Sequence, residues 1–447
     1  MPVKIQEHYF PRHGRRFLAW PRKGGLFLLL VLSRIPQAQQ QFQDQVQSQV
    51  TGTNMDEIAP SLAPDFPQTQ TEQANPGVFQ VFNPGGPVPG ALDQPFQYGR
   101  FIFRPHVLYE LTYGNGIQSA PGIQQKTLVQ QFSPGFALDL GPDWVLDYTP
   151  TFVYYSSKAF ANTVNQSVIL RGSTEYDNWT LGLSQSYSSS SSPTVETGTQ
   201  VNQDNYGTGV SASHELNSLV SVDLAANQSV EIAQGYSGSR EWSSLDWLNF
   251  KMWSHMNFGL GAGGGYDNVD AGPDQIYGQL QGRLNWRVSD KLSLSVNGGE
   301  EDRHFRGAGE PDLLNPLYGG SIQYQPFDYT TIALTADNSV SQSFFAGQIT
   351  ENTAFGVTLG QRLLGKLHLD LTGGYTIEKY ISATSAVAAL NGSDRKDDYV
   401  SFTSRLSCPL LKRGTASVFY QYSHDNSTLA GFTYGTTEVG FELGYSY

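Results

Sequence analysis

From Gly99 to the C-terminus, apolar and polar residues alternate one for one in runs of ten to fifteen residues. In the first run Phe101, Phe103, Val107, Tyr109, Leu111 and Tyr113 fall on one side, and Arg104, His106, Glu110 and Thr112 on the other. In Asp274–Trp286 the rows are Ile276, Leu280, Leu284 and Trp286 against Gln275, Gln279, Gln281, Arg283 and Asn285. Lys366–Glu378 sets Leu367, Leu369, Leu371, Tyr375 and Ile377 against His368, Asp370, Thr372, Thr376 and Glu378. A period of two is that of a β-strand with one greasy face. The opposite row is rich enough in charge and amide to suit water rather than a dry core. Strands of soluble sandwiches average about five or six residues, whereas strands crossing a tilted membrane wall need about nine to eleven.

The connections sharpen the expectation, because they alternate in length. Tight turns are predicted at Gly141-Pro-Asp143, Asp177-Asn178, Asn217-Ser218, Val288-Ser-Asp290, Pro326-Phe-Asp328 and Leu364-Gly365. Longer polar links are predicted at Asn115–Lys126, Ser186–Asp204, Arg306–Asn315, Ala383–Lys396 and Ser423–Gly431. Short turns at one rim and long loops at the other are the layout of a transmembrane barrel. The fold class is therefore all-β, a single large antiparallel transmembrane β-barrel. Its predicted strand count is about eighteen, with sixteen the nearest alternative. An even count puts both chain ends at the short-turn rim.

Composition agrees with this reading. Charged residues are 15% of the chain and aromatics 13%, with 47 Gly and 24 Tyr, a makeup of strands and turns. Mean hydropathy is −0.34, and beyond the N-terminus no apolar run reaches the length of a membrane-spanning helix. Residues 1–38 read as a signal peptide: Arg12, Arg15, Arg16, Arg22 and Lys23 precede the apolar core Leu26–Leu32, with cleavage expected near Ala38. Residues 39–98, rich in Gln, Pro and Gly, form a disordered periplasmic leader with too little apolar area to offset chain entropy. Residues 99–447 are the barrel. Without residues 1–38 the chain keeps 20 Lys/Arg against 39 Asp/Glu, so nucleic acid is excluded as a partner and cationic or polar solutes are favoured. The single cysteine, Cys408, is predicted at a turn and forms neither an intramolecular disulfide nor a Cys-rich metal site.

Candidate functional residues come from the water-facing rows. Arg104, His106, Glu110, Asp139, Asp147, Arg283, His368 and Asp370 are the lumen or constriction set, where opposed acids and bases could set a field across a pore. The plainer reading of the same residues is structural, as charges that pair along a wet wall. No Gly-x-Ser-x-Gly motif or other nucleophile arrangement is present, so no enzyme is expected, and no cofactor. The acids Asp267, Asp270, Asp274, Glu300–Asp302, Glu310 and Asp312 read as loop charge, without calcium-loop spacing. The Gly261–Gly265 run lacks the Lys-Ser/Thr of a phosphate loop and reads as a strand where something approaches closely. Trp144, Tyr148, Trp179, Trp242, Trp247, Trp253 and Trp286 are expected in girdles at the membrane surfaces.

The last ten residues, Glu438-Val-Gly-Phe-Glu-Leu-Gly-Tyr-Ser-Tyr447, alternate as cleanly as any. They resemble the C-terminal signal read by the bacterial barrel-assembly machinery, with Gly440, Leu443, Tyr445 and Tyr447 as the residues that carry it. Tyr98-Gly-Arg-Phe-Ile-Phe-Arg-Pro-His-Val-Leu-Tyr109, Glu241–Phe250 and Gly259–Tyr266 resemble segments of the outer-membrane beta-barrel porins of Gram-negative bacteria, the type 2 beta-barrel porin group. The resemblance spans roughly residues 80–447 and is one of pattern. It implies a barrel in the bacterial outer membrane, in contact with lipid and lipopolysaccharide, passing small polar or cationic solutes by diffusion and able to form a homo-oligomer. The competing expectation is a non-conducting structural or adhesive surface barrel, or one associated with exopolysaccharide export.

Overall fold

The computed structural model describes residues 96–141, 143–306, 312–382 and 395–446. The signal peptide, most of the leader and Tyr447 of the insertion signal lie outside the described residues. Within them the chain forms one antiparallel sheet closed on itself. A three-residue strand, β1 (Phe96–Tyr98), precedes eighteen wall strands. These are β2 (Phe101–Ala120), β3 (Ile123–Asp139), β4 (Trp144–Tyr155), β5 (Thr163–Tyr176), β6 (Trp179–Pro193) and β7 (Gln200–Asn217). They continue as β8 (Val220–Ala233), β9 (Ser239–Trp253), β10 (Met256–Val269), β11 (Gln275–Ser289), β12 (Leu292–Phe305) and β13 (Leu313–Phe327). The last six are β14 (Thr330–Gln342), β15 (Gln348–Leu363), β16 (Leu367–Ser382), β17 (Lys396–Leu410), β18 (Gly414–Ser427) and β19 (Tyr434–Ser446). Each pairs with its neighbour in sequence, and β19 pairs with β2 to close the ring, from Thr437 opposite Asn115 to Ser446 opposite His106. The predicted count of eighteen is met.

The terminal segment is thus the closing strand. Its outward residues Val439, Leu443 and Tyr445 are exposed, and Phe441 packs against Tyr109 across the seam with ring centroids 6.0 Å apart. Below Ser446 the edge of β2 would lose its partner. There β1 folds back through Gly99 (φ 61°) and pairs Phe96 with Phe103, extending the ladder where β19 has ended. An unpaired strand edge is costly in a bilayer, which offers no water to satisfy it. The end of the stretch read as leader is therefore part of the wall.

Alternation decides which way each side chain points. Along β11, Leu280 is 69% exposed on the outside while Gln279 and Arg283 are each 8% exposed on the inside. The same outward apolar row recurs in Val296, Ile322, Leu334, Val357, Phe402 and Val418. Trp144, Trp179 and Trp286 stand near the short-turn ends of their strands, and Trp242 near the other rim. This is a lipid-facing belt with aromatic margins.

The wall strands run from 12 to 20 residues, longer than the nine to eleven a bilayer requires. The excess lies at the long-link rim, where several expected loops are strand. The Asn115–Lys126 link shrinks to the turn Pro121-Gly122, and the serine run of Ser186–Asp204 pairs with β7 through Pro193 opposite Gln200. Above the membrane both faces of a strand can be polar, so hydrophobic alternation vanishes while backbone pairing continues. Cys408 likewise sits within β17 opposite Ala416, and not in a turn. Glu300–Asp302 lie in β12, and not in a loop.

The two faces predict unequal tolerance to charge. Leu280→Arg should cost about 2–4 kcal/mol of stability, whereas Gln281→Arg, one residue on and facing the lumen, should cost under about 1 kcal/mol. Urea titrations of the barrel refolded into lipid vesicles would measure both.

Candidate functional site

The inward rows of β16 to β19 and β2 to β4 form one continuous arc of polar wall. Seven of the eight residues singled out from the sequence lie on it. Arg104 on β2 pairs with Asp139 on β3. His106 Nε2 is 2.9 Å from Thr149 Oγ1, and the Thr149 hydroxyl donates to Asp147 Oδ1 at 3.0 Å. With the threonine proton committed to Asp147, the imidazole nitrogen must be the donor to Thr149. Glu110 accepts from Thr112 Oγ1 at 2.7 Å and from Gln131 Nε2 at 3.2 Å, and it stands directly across the closing seam from Glu442. Asp370 stands opposite Arg405 on β17, and Arg405 pairs with Glu442 at 2.9 Å. His368, two positions nearer the short-turn rim, is exposed.

Arg283 is the eighth, on β11, nine strands from β2 and so across the lumen. Its guanidinium donates to Asp223 at 2.6 Å and to Asn249 at 2.7 Å, and lies 4.3 Å above the Trp247 ring. Trp247 therefore faces the lumen, 4% exposed, and does not belong to the membrane-surface girdle expected for it. The parity of β9 explains the difference: Trp242 and Leu248 take the even, outward positions, and Trp247 takes an odd one.

The glycines of β10 supply the space. A Cβ at Gly261 would meet the Trp247 ring at 2.8 Å, and one at Gly265 would meet the Tyr277 ring at 2.5 Å. The Gly261–Gly265 run is thus where two lumen rings lie flat on bare backbone, the close approach anticipated from the sequence. Gly440 plays the same part in the closing strand, where a Cβ would meet Phe419 at 2.5 Å.

A second tier of charge, outside the eight residues drawn from the water-facing rows, lies toward the long-link rim. Arg303 pairs with Glu301 at 2.8 Å, donates to Gln275 at 2.6 Å and lies 4.6 Å over Tyr277. Arg395 pairs with Asp397 and lies between the rings of Tyr380, at 4.4 Å, and Phe432, at 3.9 Å. Both pairs are i, i+2 acid–base couples on one row, a signal the sequence carried. Of the acids read as loop charge, Asp267 is 2% exposed at the end of β10. Asp274 lies in the following link, and hydrogen bonds from Tyr266, Asn268 and the Val269 amide hold its carboxyl below the usual range. Among the described residues no group of three or more His, Cys, Asp or Glu could hold a metal ion.

The mouth at the long-link rim is crossed. The β6–β7 link, Thr194–Thr199, reaches residues on the far wall. Glu196 Oε1 accepts from Ser343 Oγ at 2.5 Å and from the Phe344 amide at 2.8 Å, both in the β14–β15 link. Arg395 Nη1, in the β16–β17 link, donates to the Glu196 carbonyl at 2.6 Å. Thr199 Oγ1 lies 3.1 Å from Tyr236 Oη in the β8–β9 link, and Gly198 packs on Gln118 and Pro121 at the β2–β3 tip. Thr194, Thr197, Ser343 and Phe344 are buried by these contacts. Burial pushes the Glu196 carboxyl up to about 7.

No family model matches the chain, and no curated protein does. Among solved structures the fold is similar to OccK2 (OpdF) of Pseudomonas aeruginosa in complex with glucuronate, at 11% identity, 77% of this chain, 98% of that chain and a TM-score of 0.43. It is similar to OccAB4 of Acinetobacter baumannii at 11% identity, 77% and 98% coverage and a TM-score of 0.42. The siderophore receptor PirA of Pseudomonas aeruginosa gives 10% identity, 79% and 81% coverage and a TM-score of 0.40. At these identities and scores no ligand or activity is carried to this chain.

The Arg283–Asp223 pair is 9% exposed on each side, so removing one partner strands the other. Arg283→Met should cost about 3 kcal/mol, and Asp223→Asn added to it should recover part of that loss. The unfolding midpoints of the single and double variants would decide it.

Proposed function

We propose that the protein is a porin-like passive diffusion channel of the bacterial outer membrane for small polar or cationic solutes. One observation carries this reading: an eighteen-strand wall with an apolar exterior encloses rows of charge and amide that no soluble core would contain. A ring this wide cannot be filled by wall side chains alone; eight strands already give an interior just wide enough for them. The preference for cations follows from the acid-rich chain and from Glu110, Glu442 and Asp370 gathered around Arg405 on the seam arc. Arg104, His106, Asp139, Asp147, Arg283 and His368 complete the polar wall, with most of their charge neutralised locally. The closing strand, with Gly440, Leu443 and Tyr445, is the segment the barrel-assembly machinery would engage, and the apolar belt is the surface for lipid, lipopolysaccharide or a second barrel.

A second reading, a non-conducting structural or adhesive barrel, is favoured by the buried tip at the mouth. Planar-bilayer recordings distinguish the two. A channel gives stable single steps with a cation-selective reversal potential, and silence from a folded, heat-modifiable barrel in every form, including one with the mouth loop shortened, leaves the second reading. In a conducting barrel, Glu110→Gln combined with Asp370→Asn should move the reversal potential toward the unselective value.

A further inference from the structure

The β6–β7 tip does something a wall hairpin does not need to do. Its parent strands lie eight places from β14 and β15 in a ring of eighteen, close to the opposite side. Yet the hydrogen bonds that leave the link run chiefly to that side, to Ser343, Phe344 and Arg395. A connecting loop satisfies its backbone with water at no cost to the fold, so a six-residue link held across a pore is a constraint on the pore.

The hold on the link itself is polar, and at its foot Phe344 of the far wall packs on Val201 and Ala233 in a small apolar cluster. The link contains one aliphatic side chain, Val195, and is otherwise Thr, Glu and Gly. Arg395 grips its backbone carbonyl, kept in place by Asp397 and by the rings of Tyr380 and Phe432. The strand leading into it, Ser188–Ser192, carries only serine and stays paired with β7 up to Pro193, so the strap pivots at its own link and not in the strand. Gly198, at φ 64°, completes the turn. We propose that Thr194–Thr199 is a gate strap that closes the mouth and is released when the Glu196 carboxylate is charged. This inference rests on the channel reading above.

The charge dependence follows from what surrounds Glu196. Glu231 on β8 and Glu378 on β16 repel it, Tyr380 stands nearby, and Arg395 attracts it but is already paired with Asp397. Both hydrogen bonds from the far wall go to Oε1, which leaves Oε2 free to hold a proton without disturbing them. In the closed strap the carboxyl titrates at about 7, while a released strap in water returns it to the ordinary carboxylate value. The closed form thus takes up the proton more readily. Its advantage is full below the ordinary carboxylate value and is lost as pH rises through neutrality, shifting the closed-to-open ratio on the order of a hundredfold.

The test records conductance of the full chain in planar bilayers at pH 5 and pH 8, beside three variants. The wild type should be largely closed at pH 5 and conduct at pH 8. Glu196→Gln keeps an amide oxygen for both hydrogen bonds but cannot ionise, and should stay closed at both. Arg395→Ala, and a barrel with residues 195–198 replaced by Gly-Gly, should conduct at both. A pH response unchanged in Glu196→Gln, or a shortened loop conducting no more than wild type at pH 5, overturns the gate and leaves the channel standing. Silence of the folded, heat-modifiable shortened-loop barrel at both pH values overturns the channel itself.

Discussion

The pairing of β19 with β2 is the contact on which the rest of the molecule depends. Within a bilayer an unpaired amide or carbonyl costs several kcal/mol, so a sheet either closes or does not insert. Closure here runs along ten residue pairs from Thr437–Asn115 to Ser446–His106, and β1 continues the ladder over the last exposed edge of β2. Once the ring is closed in that register, parity fixes every side chain as outward or inward. A slip of one residue would turn Glu438 and Glu442 to the lipid and Val439, Phe441 and Leu443 to the water.

The interior that results is organised in two ways. Toward the short-turn rim, charges are neutralised where they stand: Arg104 by Asp139, Arg283 by Asp223, Glu442 by Arg405. Such pairs fix the wall. Toward the long-link rim the lumen becomes a set of contacts between links that are distant in sequence. Arginines there lie on aromatic rings, and acids such as Glu231 and Asp425 are enclosed with no ion pair among the described residues. The lumen is thus a paired wall at one end and a crossed mouth at the other.

How far the site could be read beforehand depended on what kind of signal each residue carries. Arg104, His106 and Glu110 announce themselves by parity on a strand whose other face is apolar. Trp247 resembles a girdle residue because it stands mid-strand between Trp242 and Trp253, and only counting parity from Trp242 shows that it points inward. Glu196 was invisible: it lies in a polar link with no periodicity, and nothing local says that its partner is 147 residues away at Ser343. The expected loops that became strand failed for a related reason, since alternation marks the membrane boundary and not the end of backbone pairing.

The sequence by itself determined the class of the protein. Period-two alternation, link lengths and an apolar, aromatic closing segment are local properties, each enforced by water on one side and lipid on the other. They were sufficient for an eighteen-strand antiparallel barrel with both ends of the wall at the short-turn rim. The tertiary structure alone decided what stands across the lumen from what: Arg283 facing the seam arc, and the Thr194–Thr199 link tied to Arg395. Those relations join residues half a ring apart. They depend on closure and register, which no stretch of chain encodes without its partner strand.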